Sequence, residues 1–378
     1  MKVAFNAIPL MSPLTGIGQY AKQLLMAMDD MPSLEVHKFY AREWRADIAE
    51  EGWSDGANRF RRWVRTWMPY AYDLSRAMQQ HLFSTGVKAF RPDVYHEPNF
   101  LAYRFDGPSV ITVHDLSWIR FPEMHPLQRV RAMNKYFEPA LRRATRVITD
   151  SRFVRQELVD VFGLSPSLIH PVSLGVEPLF MPRDAQASMT VLQSHGLRHG
   201  AFWLAVGTLE PRKNLQVVLR AFMNLPRDQR RRCPLILVGM KGWKTSAIEQ
   251  QLAPLVAAGE VRQLGYLSRA DLAMVMASAK ALIYPSVYEG FGLPPLEAMS
   301  CGVPVVASNV SSLPEVVGET GVLVDPHDVD ALTQTMSSLE QDLSWRNELG
   351  ARALARSAEF SWARCAQQTM DVYRAAVS

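Results

Sequence analysis

Cysteine is scarce. The three in 378 residues, Cys233, Cys301 and Cys365, are odd in number and far apart, which excludes a disulfide framework and any CxxC redox or metal site and suits a reducing cytoplasm. No stretch reaches the roughly 18 uninterrupted apolar residues that a membrane span requires. The start, MKVAFNAIPLM, passes from one lysine into polar, glycine-containing sequence, without the long apolar core and small-residue cleavage site of an export signal. Excess charge is lacking too: a net +4 is too mild for a dedicated nucleic-acid binder, but it leaves room for an anionic ligand or an anionic membrane surface. No His/Cys/Asp/Glu run has zinc spacing, and neither GxxxxGK[ST] nor GxSxG occurs. The Asp-x-Asp at Asp328 and Asp330 stands where a helix is expected to begin, and N-capping accounts for it.

What is present is alternation. Short β-branched or apolar runs, VAFNAI (3 to 8), VHKFY, DVYHE, SVITVHD and RVITDS, are separated by longer helical patterns. A second set follows: FWLAVGT, PLILVG, VRQLGYL, ALIYPS, VPVVAS and GVLVDP. Alternating strand and helix signals predict parallel sheets covered by helices, hence an α/β protein with two Rossmann-like domains facing a central cleft. The proline-rich stretch HPVSLGVEPLFMPRDAQ interrupts both periodicities. It sets the expected domains at 1–180 and 181–358, with 359–378 an amphipathic helix that either stays with the second domain or returns to the first. Ligands of open α/β sheets sit beyond the carboxyl ends of the strands.

The densest chemistry lies in YEGFGLPPLEAMSCGVPVVAS, residues 288 to 308. ALIYPS predicts a buried strand, YEGFGL a glycine-rich turn and PPLEAMS the first turns of a helix, with proline where a missing N–H costs nothing. The backbone N–H groups of Phe291, Gly292 and Leu293 then point out of the helix N-terminus and favour an anionic or oxygen-rich ligand. Glu289 is expected in the loop. Glu297 is expected in the first helical turn, where it either reaches ligand hydroxyls or simply complements the helix dipole. Upstream, AVGTLEPRKNLQVVLRAF predicts another strand, loop and helix, with Arg212 and Lys213 at the loop tip. Paired cations there suit a diphosphate, neutralising its charge both at rest and as a leaving group. In TGIGQYAKQLL, Gly16 and Gly18 let backbone approach a ligand before a helix. The motif lies too far beyond VAFNAI for the tight turn of a dinucleotide site, and Tyr40 and Ala41 stand where a ribose-binding carboxylate belongs. His114 is expected to emerge at the carboxyl end of a central strand, either structural or touching a ligand.

Glu-x7-Glu in such a turn, preceded by GTLEPRKN and by GIG near the start, resembles the retaining glycosyltransferases of group 1 (family 4), which have the GT-B fold. The resemblance spans nearly the whole chain. It implies that Glu289 contacts donor-sugar hydroxyls, Glu297 the nucleotide ribose, and Arg212 and Lys213 the diphosphate. It further implies that Gly16 and Gly18 approach that diphosphate, that the backbone from Phe291 to Leu293 meets phosphate or sugar, that His114 stands near the donor sugar, and that Gly265, Tyr266 and Leu267 form the nucleobase-binding strand end. No cofactor and no divalent metal are implied, and catalysis is assigned to Glu289, Arg212, Lys213 and His114. GIGQY, ITVHDLSW with FPE, and VGTLEPRKN together resemble mannosyltransferase-like members that build bacterial surface polysaccharide. Those favour GDP-mannose or GDP-rhamnose, with UDP-sugars open. A sugar-nucleotide epimerase and a non-catalytic sugar-nucleotide-binding scaffold are the other readings.

NRFRRWVRTWM, residues 58 to 68, puts Phe60, Trp63, Val64, Trp67 and Met68 on one helical stripe and arginines on the other side. This basic amphipathic pattern fits either the surface of an anionic inner membrane or a helix packed on its own core. The membrane alternative implies a lipid-linked saccharide acceptor.

Overall fold

The computed structural model describes residues 1–11, 14, 16–48, 71–243 and 245–378; the amphipathic segment 58–68 lies outside them. The chain divides into two units. One comprises residues 1–116, 131–175 and 362–378, the other 117–130 and 176–361. Two features modify the expected organisation. Residues 117–130, assigned above to the N-terminal domain, cluster with the second unit: Phe121 packs edge-on to Tyr288, with ring centroids 5.7 Å apart, and the Met124 carbonyl accepts a 2.6 Å hydrogen bond from Trp243 Nε1. The last helix, Trp362–Val377, belongs to the first unit.

Among the described residues the first unit carries a seven-stranded sheet of β1 (Lys2–Asn6), β2 (Glu35–Phe39), β3 (Trp44–Arg45), β4 (Val94–Glu97), β5 (Ser109–Val113), β6 (Arg146–Thr149) and β7 (Ile169–Pro171). Their order is β3-β2-β1-β4-β5-β6-β7, parallel except at the β2–β3 edge pair. The second unit carries an all-parallel six-stranded sheet of β8 (Trp203–Val206), β9 (Leu235–Val238), β10 (Val261–Gly265), β11 (Ala281–Tyr284), β12 (Val305–Ser308) and β13 (Val322–Val324), in the order β10-β9-β8-β11-β12-β13. The runs SVITV, LILV, ALIY and VVAS are buried at every position, as expected of strands covered on both faces. Successive side chains of a strand point to opposite faces. Accordingly Leu204, Ile236, Leu282 and Val305 fill one core of the second unit, while Trp203, Leu235, Ile283 and Val306 fill the other.

Helix Trp362–Val377 buries Trp362, Cys365, Ala366, Thr369, Met370 and Tyr373, the helical spacing of a face turned to a core. It packs against helix Gly16–Asp29 and strands β4, β5 and β6. Tyr373 hydroxyl meets His96 Nδ1 at 2.6 Å, His96 Nε2 meets Thr112 Oγ1 at 2.8 Å, and that oxygen meets Tyr20 hydroxyl at 2.9 Å. The helix is therefore bonded to the strands as well as packed on them.

In each sheet the strand order reverses once, between β1 and β4 and between β8 and β11. Such reversals open a crevice beyond the strands' carboxyl ends. In the first sheet buried polar groups occupy it: Glu97 Oε2 accepts from Asn6 Nδ2 at 2.7 Å and from Tyr95 hydroxyl at 2.6 Å.

Candidate active site

In the second sheet the reversal brings together the loops after β8 and β11, the two stretches richest in chemistry. The loop after β8 forms a short turn, Pro211–Lys213, ended by Asn214 in the left-handed conformation with φ 56°. Asn214 Nδ2 donates to the Pro285 carbonyl at 3.0 Å, which ties this loop to the one after β11. Gly239 makes the approach of neighbouring loops possible, because a Cβ there would stand 1.9 Å from the Gly207 carbonyl oxygen.

Glu289 is the centre of the cluster. Its Oε1 accepts from Lys213 Nζ at 2.7 Å and from Tyr284 hydroxyl at 3.0 Å, and its Oε2 accepts from Arg212 Nη1 at 2.8 Å. Arg212 also donates to the Tyr288 carbonyl at 2.7 Å and, through Nη2, to Glu210 Oε1 at 2.7 Å. The Glu289 side chain is 9% exposed, Arg212 14% and Lys213 18%. Burial by itself would raise the Glu289 pKa, but the two cations outweigh it and bring the carboxyl down to about 2. Burial pushes the Lys213 ammonium down, with Glu289 opposing. A fully ionised carboxylate thus holds two cations where a diphosphate was expected. Tyr284 and Glu210 were not singled out in the sequence; Glu210 had a local signal, two residues before Arg212, and Tyr284 had none.

The turn after Glu289 is fixed by serines. Glu289 N–H donates to Ser311 Oγ at 3.0 Å, and Ser312 hydroxyl reaches the carbonyls of Glu289 and Phe291, both at 2.9 Å. Gly292 caps helix Leu293–Ser300 with φ 115°, and a Cβ there would meet Leu313 Cδ2 at 2.8 Å, so only glycine fits. Pro294 and Pro295 have no N–H to give, which leaves the opening donors to Gly292 and Leu293. Among the described residues no acceptor takes either N–H.

Glu297 is not in the first turn of this helix but in the second, so the dipole explanation for it weakens. It is 4% exposed and paired: Oε1 accepts from Arg269 Nη2 at 2.6 Å. Burial raises its pKa and Arg269 opposes the rise. Gly265 ends β10 with φ 69°, Tyr266 is 53% exposed, and Leu267 is buried.

In the first unit the helix begins at Gly16, so Gly16 and Gly18 lie inside its first turn rather than ahead of it. Gly18 packs closely, since a Cβ would meet the Pro9 carbonyl at 3.3 Å. His114 follows β5 and is 7% exposed, with Nδ1 2.7 Å from Asp150 Oδ2 and Nε2 2.7 Å from the Pro98 carbonyl. The Pro98 carbonyl only accepts, so Nε2 donates to it, and the Nδ1 contact couples the ring to Asp150. Burial lowers the His114 pKa, but Asp150 overcomes this and the net shift is upward. Burial also raises the Asp150 pKa, with His114 opposing, so the two groups titrate as a coupled pair.

Comparison with known proteins agrees with this architecture. Residues 193–356 match the model of glycosyl transferases group 1, and residues 14–178 that of Glycosyltransferase Family 4. The chain is 38% identical to O-antigen chain mannosyltransferase B of Escherichia coli over 99% of this chain and 100% of that one. It is 32% identical to the serotype-specific mannosyltransferase WbdA of Escherichia coli over 70% of this chain, matching a third (33%) of that longer protein. Sucrose-phosphate synthase from Thermosynechococcus elongatus superposes with a TM-score of 0.75 at 21% identity, covering 99% of this chain and 98% of that one. The two parallel-sheet units, the paired loops at the strand reversal and these matches identify the chain as a GT-B glycosyltransferase belonging to the group 1, family 4 glycosyltransferases.

Proposed function

We propose that the protein is a retaining mannosyltransferase that moves mannose from GDP-mannose to a lipid-linked saccharide in O-antigen or related surface-polysaccharide synthesis, on the cytoplasmic face of the inner membrane. The observation that carries the reading is the capture of Glu289 by Arg212 and Lys213 at the strand reversal. The likeness to O-antigen chain mannosyltransferase B favours mannose over rhamnose. The donor's diphosphate takes the place of the Glu289 carboxylate on Arg212 and Lys213, and Glu289 turns to the sugar hydroxyls. The N–H groups from Phe291 to Leu293 meet phosphate or sugar, Glu297 the ribose, and Gly265, Tyr266 and Leu267 the base. Gly16 and Gly18 approach the diphosphate, and His114, held by Asp150 and the Pro98 carbonyl, stands near the donor sugar.

As the glycosidic bond to phosphate breaks, the anomeric carbon gains oxocarbenium character and negative charge grows on the leaving β-phosphate. Arg212 and Lys213 are already aimed at that charge, and loss of one such donor typically costs about 2.7–4 kcal/mol of barrier. The reading is metal-independent, so transfer is expected to persist in EDTA. Attack on the front face fits a Glu289 engaged with the sugar hydroxyls; a glycosyl adduct trapped on Glu289 would overturn that choice.

The test is a panel of GDP- and UDP-sugars with and without lipid-linked saccharide acceptors. Acceptor-dependent release of GDP from GDP-mannose supports the reading. Turnover of UDP-sugars alone would move the donor assignment, isomer formation without acceptor would mean an epimerase, and binding without turnover a scaffold.

A further inference from the structure

We propose that Arg269 is a positioning residue for nucleotide recognition: it clamps one oxygen of Glu297 so that the other is presented to the ribose hydroxyls of the donor. This deepens the reading above and rests on Glu297 meeting the ribose.

Arg269 opens helix Arg269–Ala277, behind the Ser268 cap. Its Nη2 donates to Glu297 Oε1 at 2.6 Å, its Nε to Glu177 Oε1 at 2.8 Å, and Nη2 reaches Glu177 as well. The guanidinium lies over the Phe180 ring, 4.5 Å from its centroid. One carboxylate and one aromatic face thus fix the plane of the guanidinium, and the guanidinium fixes Glu297. The side chains of Glu177 and Glu297 are 11% and 5% exposed, Arg269 25%. Among the described residues Glu297 Oε2 has no hydrogen-bond partner, and it is not sealed from solvent. A nearly buried carboxylate with one oxygen held and the other unpaired keeps one acceptor available for a hydroxyl. The fork matters: a guanidinium bridges two carboxylates in one plane, whereas an ammonium is a point charge on a flexible stem. With two carboxylates on one cation, removing Arg269 also pushes Glu297 towards its protonated form, which ends its role as a charged acceptor.

The test measures affinity for GDP and UDP, each against its 2′,3′-dideoxy counterpart, by calorimetry at pH 8. The base that binds more tightly decides. The wild type is expected to prefer the ribonucleotide by about tenfold or more, the worth of hydrogen bonds to a charged acceptor. Glu297→Ala should abolish that preference. Arg269→Met should abolish it too while leaving dideoxynucleotide affinity within about twofold of wild type, a split that general destabilisation does not produce. Arg269→Lys keeps the charge without the fork and secures a folded variant; it should lose most of the preference. A wild-type preference in folded Arg269→Met or Arg269→Lys, with Glu297→Ala devoid of it, overturns the role of Arg269 alone. An intact preference in Glu297→Ala, no preference in the wild type, or no binding of either nucleotide overturns the ribose reading and this inference with it.

Discussion

Lys213 Nζ lies 2.7 Å from Glu289 Oε1 although 76 residues separate them, because the strands that deliver them, β8 and β11, are neighbours across the one reversal of the sheet. Substituting either residue tests a different half of that contact. On the proposed reading Lys213→Ala removes a cation that holds the diphosphate both at rest and as it leaves. It should lower kcat by about a hundred- to a thousandfold, the usual cost of a preorganised donor, and raise donor KM as well. A steady-state comparison at saturating donor checks this, and a wild-type kcat would refute the assignment.

Glu289→Gln should act in opposite directions on binding and turnover. In the free protein the carboxylate competes for Arg212 and Lys213. The amide leaves both cations available, so GDP should bind several-fold more tightly while transfer falls. Calorimetry and turnover on the same preparation measure the two effects, and weaker GDP binding would count against Glu289 as the occupant of the diphosphate position.

Glu97 makes stability depend on pH. Burial raises its carboxyl to about 7 from an ordinary value of 4.5. Between those values the unfolded chain releases a proton that the folded chain keeps, so stability falls as pH rises through that window, by about 3 kcal/mol in all. Below 4.5 the contribution is fully present. Glu97→Gln should flatten this slope in urea melts between pH 5 and 8; an unchanged slope would remove Glu97 as its source.

Asp150→Asn should lower the His114 pKa. With the carboxylate gone, burial and a neutral partner favour the neutral ring. Nitrogen-15 imidazole shifts followed with pH should show the ring losing its second proton at a lower pH in the variant than in the wild type; coincident titrations would remove Asp150 as the cause. For the wild type, the stabilisation from this raised pKa is fully present below about 6.5 and is lost as pH climbs through the folded-state value.

Much of this site was legible because its groups lie in contiguous motifs. EPRKN carries both cations and the Glu210 that orients one of them, and YEGFGLPPLE carries the turn, its obligatory glycine and two carboxylates. Strand and helix alternation exposed both sheets for a similar reason: each run of buried β-branched residues is a local event. The rest depended on partners without a local mark. Nothing in LSRADL shows that Arg269 will find Glu297 and Glu177, and nothing in VYHE shows that His96 meets Tyr373 277 residues away. The segment SWIRFPEM has apolar residues suited to either core, and the ring of Tyr288 and the indole of Trp243 help commit it to the second unit. His114 was read from its strand position, but its titration is governed by Asp150, which arrives with the neighbouring strand.

Because residues 362–378 complete the first unit, synthesis runs against its assembly. When residues 1–116 and 131–175 have left the ribosome, the surface offered by helix Gly16–Asp29 and strands β4 to β6 still lacks its cover, and His96 lacks Tyr373. The whole of 176–361 must be made first, so the second unit is free to fold while the first waits with an open apolar flank. Domains generally fold as units in the order they emerge; here residues 1–116 and 131–175 are made before the second unit but completed after it, and a nascent chain stalled before residue 362 leaves the face covered by helix Trp362–Val377 open.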